Sequence, residues 1–333
     1  MLRIAHLIDD QNPGGVTRYL DFIASDPGMA ALGRHEIVPV SRYRPAATRI
    51  EADVIVSHLT LSWRGLPGLM FLRARHPGTP LIHVEHSYSA GFVAHNVTRA
   101  ARFYTLLRTG YAMFERVVAV SAAQADWMAR RGLVAEGRLE VIRPSLDLSD
   151  FRALDAPEGP VRTIGAIGRF DRQKGFDILI RAFRQIEGED LRLRIIGDGP
   201  ERARLEELAG ADPRISFPGF AADPATAIAA CDAIAMPSRW EPYGLVALEA
   251  LAARRPVLVS NVDGLRDHVQ TGALQVTGGG VDDWVVGFNR LVTAKSLKRP
   301  GAPVGTTRAD WRRLLDEVTG ADRVENDGWG TAA

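Results

Sequence analysis

The 333-residue sequence predicts an α/β protein built from two doubly wound parallel sheets, and three features of the chain support this. Short apolar, β-branched runs alternate with longer amphipathic stretches, the pattern of parallel strands covered by helices on both faces. The alternation breaks at 154–160, LDAPEGP, a stretch of prolines, glycine and acids that reads as a linker, and then starts again. The length is too great for one ordinary core and suits two.

In the first half RIAHLID, HEIVPVS, ADVIVSH, PLIHVEH, RVVAVS and LEVIRP are strand candidates, and VTRYLDFIAS carries helical period after the first of them. In the second half strands VRTIGAIG, LRLRIIG, RISFPG, AIAMPS and PVLVS alternate with helices GFDILIRAFRQI, ERARLEELAG, PATAIAAC and GLVALEALAA. The expected domains are 1–155 and 156–304. RADWRRLLDEV, within 305–320, is an amphipathic helix that must pack somewhere, and 321–333 is expected to fray. Two such domains imply a cleft, with ligands at the carboxyl ends of the strands.

Composition narrows the function. A net charge of +1 is not that of a polyelectrolyte seeking nucleic acid. Residues 1–155 carry 18 Arg against 15 Asp and Glu, and the rest 23 basic against 25 acidic residues, a contrast that a solvated face accounts for. The single cysteine, Cys231, excludes an internal disulfide framework, and a cytoplasmic location is the simplest expectation. No apolar run is long enough for a spanning helix, and MLRIAHLIDDQ lacks a signal peptide's cleavage pattern. Only three lysines, Lys174, Lys295 and Lys298, occur beside 38 arginines, so a lysine in a motif carries weight.

The motif with most chemistry is SRWEPYGLVALEALAARRP, 238–256, in which Glu241 and Glu249 flank a helix start. Pro242 suits a first helical position, where its missing N–H is no loss. The amides of Tyr243, Gly244, Leu245 and Val246 would then be open to a phosphate. Gly244 would allow close approach. Glu249, one to two turns on, could accept bonds from two neighbouring hydroxyls such as those of a ribose, and Glu241 would reach the opposite side of the phosphates.

A second constellation, GRFDRQKGFDILIRAF, sets Arg169 at a strand end and Lys174 just before a glycine and a helix. A planar guanidinium and a compact ammonium on one loop suit a diphosphate. In DDQNPGGVTRYL, Gly14 and Gly15 open the first helix; a plain tight turn and a phosphate-side loop both fit, and no complete dinucleotide fingerprint is present. PLIHVEHSYS ends a strand with His83, Glu85 and His86; alternation sends the two histidines to opposite faces, which argues against a zinc site. His58 ends another strand, where lining a ligand site and ordinary packing both fit. Residues 99–118 mix arginines with aromatics; a membrane-facing surface is one reading and a packed helix before the next strand the favoured one.

Together these residues resemble the retaining GT-B glycosyltransferases of the large group 1 family that includes sucrose synthases and phosphatidylinositol mannosyltransferases. PGGVTRYL, VVAVSAAQADWMARRG, GRFDRQKGFDILIRAF, LRLRIIGDGPERARLEEL, ISFPGF and PSRWEPYGLVALEALAARRPVLVS occur in family order over most of residues 1–290. The resemblance implies a nucleotide diphosphate-sugar donor, with Arg169 and Lys174 on the diphosphate, aided by amides near Gly244, Leu245 and Val246. Glu249 would hold the ribose, Glu241 the donor sugar, Gly14 and Gly15 the phosphate and acceptor side, and His86 a sugar hydroxyl or the acceptor. It implies a glycan or lipid-linked acceptor, peripheral contact with the cytoplasmic face of the inner membrane as one option, a final helix that returns to the first domain, and retention of anomeric configuration. No D-x-D triplet occurs, so no metal or other cofactor is expected; the two cations would stand in for Mg²⁺. The chain departs from the family at RPSLD, where Asn-Gly is frequent, and at NVDGLRDHV, where Asp263 occupies one of two paired glycine positions. A nucleotide-sugar epimerase, a phosphorylase and a non-catalytic sugar-nucleotide binder are the alternative readings.

Overall fold

A computed structural model describes residues 1–293 and 305–320, so the expected fraying of 321–333 lies outside the described residues. The chain divides into two compact units. The first comprises Met1–Tyr88, Val97–Leu146 and the segment from Gly305; the second comprises Ser89–Asn96 and the segment from Asp147. The second unit thus begins earlier than 156 and draws in eight residues from the middle of the first half.

In the first unit six parallel strands, β1 (Arg3–Ile8), β2 (Arg34–Pro39), β3 (Val54–Ser57), β4 (Leu81–Glu85), β5 (Arg116–Ala119) and β6 (Leu139–Val141), lie in the order β2-β1-β3-β4-β5-β6. Between them run α1 (Gly15–Ser25), α2 (Pro27–Ala30), α3 (Leu66–Arg75), α4 (Ala90–Asn96, in the second unit), α5 (Ala100–Tyr111) and α6 (Ala122–Arg130). The central strands β3 and β4 are buried at every position, as continuous apolar runs require when helices cover both faces. Residues 99–118 form α5 and then β5, with Leu106, Leu107, Gly110 and Tyr111 buried. Among the described residues no helix is long and apolar enough to cross a membrane.

The second unit opens with α7 (Ser149–Ala153) and continues β7 (Thr163–Ile167), α8 (Phe176–Phe183), β8 (Arg192–Ile196), α9 (Arg202–Ala209), β9 (Ile215–Gly219) and α10 (Pro224–Ala229). It ends with β10 (Ala233–Met236), α11 (Leu245–Ala252), β11 (Val257–Ser260), α12 (Leu265–Val269), β12 (Leu274–Val276) and α13 (Val281–Thr293). The strand order is β12-β11-β10-β7-β8-β9, all parallel, so the sheet reverses direction between β7 and β10. Ligands of such sheets bind outside the carboxyl ends of the two strands at that switch. Phe170, Phe176, Phe183, Trp284 and Phe288 fill the core beside the aliphatic strand residues.

The last described helix, α14 (Thr307–Thr319), belongs to the first unit. Trp311 is fully buried and its indole donates to the Tyr19 hydroxyl at 2.8 Å. Arg308 pairs with Asp26 through Nε at 2.7 Å, and the Thr307 hydroxyl donates to the Arg143 carbonyl at 2.8 Å. The amphipathic face read from the sequence is therefore spent on the first sheet's covering layer. Replacing Trp311 with alanine should cost about 3–5 kcal/mol. Urea denaturation should show the first unit's transition at lower midpoint, whereas an unchanged midpoint would show that α14 is dispensable to that core.

Candidate functional site

Both charged motifs of the second half fall at the switch point. The loop after β7 carries Arg169 and Lys174, and the loop after β10 carries Ser238, Arg239 and Glu241. The first loop tightens into a 3₁₀ turn, Arg172–Lys174, whose amide at Lys174 bonds the Asp171 carboxylate at 3.3 Å. Gly175 follows at φ +67°, and a Cβ there would stand 2.1 Å from the Pro237 carbonyl oxygen. Only glycine lets the two loops come this close. Arg239 then laces them, donating to both Asp177 carboxylate oxygens at 2.9 and 2.8 Å and to the Arg172 carbonyl at 2.8 Å. Burial alone would raise the Asp177 carboxyl, but the bidentate Arg239 pair outweighs it and holds that group below the usual carboxylate range.

This lacing brings Lys174 to Glu241. The ammonium Nζ lies 2.5 Å from Glu241 Oε2, with the two side chains 20% and 10% exposed. The Ser238 hydroxyl donates to the same oxygen at 3.2 Å. The ammonium has three donors and spends one on Glu241, and Glu241 Oε1 remains an acceptor. Arg169 is placed differently. Its guanidinium is 72% exposed and pairs with Asp171 at 2.6 Å, so the structure joins Lys174 to Glu241 and leaves Arg169 pointing into solvent on the same loop.

The helix after Glu241 starts later than its proline suggests. α11 begins at Leu245, with Gly244 as N-cap at φ +95°, so Pro242 and Tyr243 belong to the loop and not to the first turn. A Cβ on Gly244 would meet Leu265 Cδ2 at 2.6 Å. The amides of Leu245 and Val246 head the helix, where intrahelical acceptors are lacking, and both residues are partly exposed. Glu249 opens the second turn and is 1% exposed. The loop is fixed from beneath by Asp263, whose carboxylate accepts from the Glu241 amide at 3.2 Å, the Ser89 hydroxyl at 2.6 Å and the Gly91 amide at 3.0 Å. Asp263 sits at φ +36°, a conformation aspartate tolerates better than most side chains. Aspartate at this position thus adds a carboxylate that anchors α4 and Glu241.

In the first unit, Gly14 caps α1 and Gly15 begins it, both exposed and neither at positive φ. His83 and His86 enter different networks. His83 stacks on Phe114 with centroids 5.0 Å apart and approaches Glu85 at 3.5 Å. Burial would raise the Glu85 carboxyl; His83 and the amides of Ser87 and Tyr88 outweigh it and keep the group ionised below the usual range. His86 joins a row of imidazoles instead. His86 Nε2 lies 2.8 Å from His58 Nδ1, His58 Nε2 lies 3.0 Å from His6 Nδ1, and His6 Nε2 lies 2.9 Å from His35 Nδ1. Among the described residues no group of three His, Cys, Asp or Glu is arranged to hold a metal ion.

Sequence reading missed Arg239, Asp177 and the role of Asp263, and noticed His58 without its neighbours. Asp177 and Arg239 lie 62 positions apart, and nothing in either local stretch announces the pair. The histidine row had a faint signal. Register pairs His6 with Ile37 and Val56, and Val56 with Ile82, so alternation puts His35, His6, His58 and His86 on one face of the sheet.

Comparison with known proteins gives a consistent picture. Residues 161–293 match the family "Glycosyl transferases group 1", and residues 9–150 match "Glycosyltransferase Family 4". The chain is 30% identical over 245 residues to a D-inositol 3-phosphate glycosyltransferase of Rhodococcus opacus, covering 65% of this chain and 55% of that protein. It therefore spans little more than half the length of such a relative. Among solved structures, Anabaena Alr3699/HepE in complex with UDP and glucose superposes with a TM-score of 0.64 at 18% identity, over 98% of this chain and 100% of that one. Sucrose-phosphate synthase from Thermosynechococcus elongatus gives 0.69 at 21% identity, over 98% and 99%. At these identities the likeness is one of fold.

The histidine row makes the first unit acid-sensitive. Burial, and then the neighbouring imidazoles, depress His6 and His58 well below 6.5; burial brings His86 down to about 4. The unfolded chain therefore binds more protons than the folded one once pH drops below 6.5, and stability falls from there toward about 4. Thermal melts should be flat above pH 7 and decline between 6.5 and 4.5, a window above that of the paired carboxylates. A melting temperature constant across that window would contradict the neutral row.

Proposed function

Because the chain belongs to the group 1 glycosyltransferases of the GT-B fold, we propose that it moves a sugar from a nucleotide diphosphate-sugar to a glycan or lipid-linked acceptor. The transfer retains anomeric configuration and serves bacterial cell-surface polysaccharide or glycolipid synthesis. The observation that carries this reading is the Lys174–Glu241 pair at the switch point of the second sheet, beside the open end of α11. A pre-positioned ammonium with two donors to spare, next to a helix N-terminus, is built for a diphosphate.

In this reading Lys174, the exposed guanidinium of Arg169 and the amides of Gly244, Leu245 and Val246 take the negative charge that grows on the leaving diphosphate. Lys174 and the helix amides are held in place before reaction and so favour the transition state over the bound donor. Glu241 Oε1 accepts from donor-sugar hydroxyls, and Glu249 from the ribose. The two glutamates are not a glycosidase pair, since Glu241 is committed to Lys174. The acceptor hydroxyl attacks the face that the diphosphate leaves and gives its proton to a phosphate oxygen. Gly14 and Gly15 serve the phosphate and acceptor side: a Cβ on Gly14 would meet nothing nearer than 3.8 Å, so no internal contact demands glycine there. His86 holds a hydroxyl of the reacting sugar or of the acceptor. UDP, which occupies the HepE structure, is the first nucleotide to test, with GDP and ADP beside it.

A thermal-shift screen over the three nucleotides and their sugars should raise the melting temperature with one of them. Lys174→Ala should then lower kcat about 10²- to 10³-fold, the usual loss on removing one preorganised charge stabiliser. Glu249→Ala should chiefly raise the donor KM, because ribose contacts act equally in ground and transition states. Near-native transfer by both variants overturns the proposal, and product formation that needs no acceptor, or that needs inorganic phosphate, would identify an epimerase or a phosphorylase instead.

A further inference from the structure

The row His35–His6–His58–His86 crosses four adjacent strands and climbs two residues per strand toward their carboxyl ends. Its start is not another imidazole but the backbone. His35 Nε2 lies 3.1 Å from the Met29 carbonyl oxygen, which can only accept, so that nitrogen must carry the proton. A neutral imidazole has one N–H, and each further bond then has one possible direction. His35 Nδ1 accepts from His6 Nε2–H, His6 Nδ1 from His58 Nε2–H, and His58 Nδ1 from His86 Nε2–H. One carbonyl thereby sets the tautomer of four side chains. A proton added to His35, His6 or His58 would make two donors face each other.

The middle of the row is kept dry. His6 is fully buried and His58 6% exposed. The Trp311 indole stands edge-on to His6 at 6.2 Å, and the Tyr19 ring edge-on to His86 at 5.9 Å. The two roofing side chains are themselves joined by the Trp311–Tyr19 bond at 2.8 Å. Burial favours the neutral rings that the bonding pattern requires. What emerges at the carboxyl end is His86 Nδ1, which takes no hydrogen bond from the described residues, on a side chain that is only half-buried.

We infer that the Met29 carbonyl, acting through His35, His6 and His58, locks His86 as an acceptor-only imidazole whose Nδ1 receives a carbohydrate hydroxyl, so that these three histidines are positioning residues. A lone pair at that position repels phosphate oxygens and accepts O–H groups, which assigns His86 to sugar or acceptor hydroxyls and excludes it from the diphosphate. The identity of the ligand as a carbohydrate rests on the function proposed above; the lock itself does not.

The test uses the full chain, ¹⁵N-labelled, with two-bond ¹H–¹⁵N correlations of the imidazole rings at neutral pH. All four rings should show Nε2–H and a bare Nδ1. His35→Phe removes the acceptor for His6 and frees the row, and His86 should then show a second tautomer. The same variant should lose about tenfold in kcat, the worth of one misdirected hydrogen bond, with the donor KM changed less than about twofold. His35→Gln offers an amide N–H to Met29 and an oxygen to His6, and should restore both the tautomer and the rate. A protonated Nδ1 on His86 in the unaltered protein overturns the inference even if every variant fails to fold, and so does a His86 tautomer or kcat indifferent to His35→Phe. Tautomers as described in a protein that transfers no sugar would remove the glycosyltransferase reading while the lock stands.

Discussion

Lys174 and Glu241 meet at 2.5 Å where little water reaches either, and that contact dictates much of the second unit. A charge withdrawn from water is expensive unless its partner is held in place, and removing one member of such a pair strands the other. The surroundings meet that condition piece by piece. Gly175 lets the loop after β7 come against Pro237, and Arg239 grips Asp177 across the same gap. Asp263 holds the backbone of Glu241 from below. The strand order supplies the precondition, because β7 and β10 are neighbours whose chains leave in opposite directions.

The first unit solves a different problem with neutral groups. Its polar interior is a file of imidazoles, each satisfied by the next, under a lid of indole and phenol. With only the outermost nitrogen, His86 Nδ1, left open, such a network fixes a unique arrangement where a gap within it would destabilise the core. The two units thus divide the chemistry by charge. Cations and helix amides that suit an anion are in the second, and an uncharged acceptor that suits a hydroxyl is in the first.

Much of this was legible in the sequence because it is local. The strand runs, the helix within 305–320 and the position of Lys174 before a glycine and a helix all depend on neighbours within a few residues. The start of α11 was misread for the same reason. Pro242 is a sound helix-start signal on its own, but Asp263 and Gly264, more than twenty residues on, hold the loop open until Gly244 can turn it. The Arg239–Asp177 clasp and the histidine file depend on sheet order and register, which no single stretch records. Residues Ser89–Asn96 are the clearest case: they read as part of the first half, and two bonds to Asp263 assign them to the second.

The position of α14 has a bearing on how the chain assembles. Tyr19, His6 and their roof, Trp311, are about as far apart in sequence as the chain allows, with the whole second sheet between them. During synthesis the later unit can close as soon as α13 is made, whereas the earlier one must wait with an uncovered aromatic pocket and wet imidazoles. Maturation therefore runs against chain order. Any break in translation before residue 307 leaves the N-terminal half without its final covering turn.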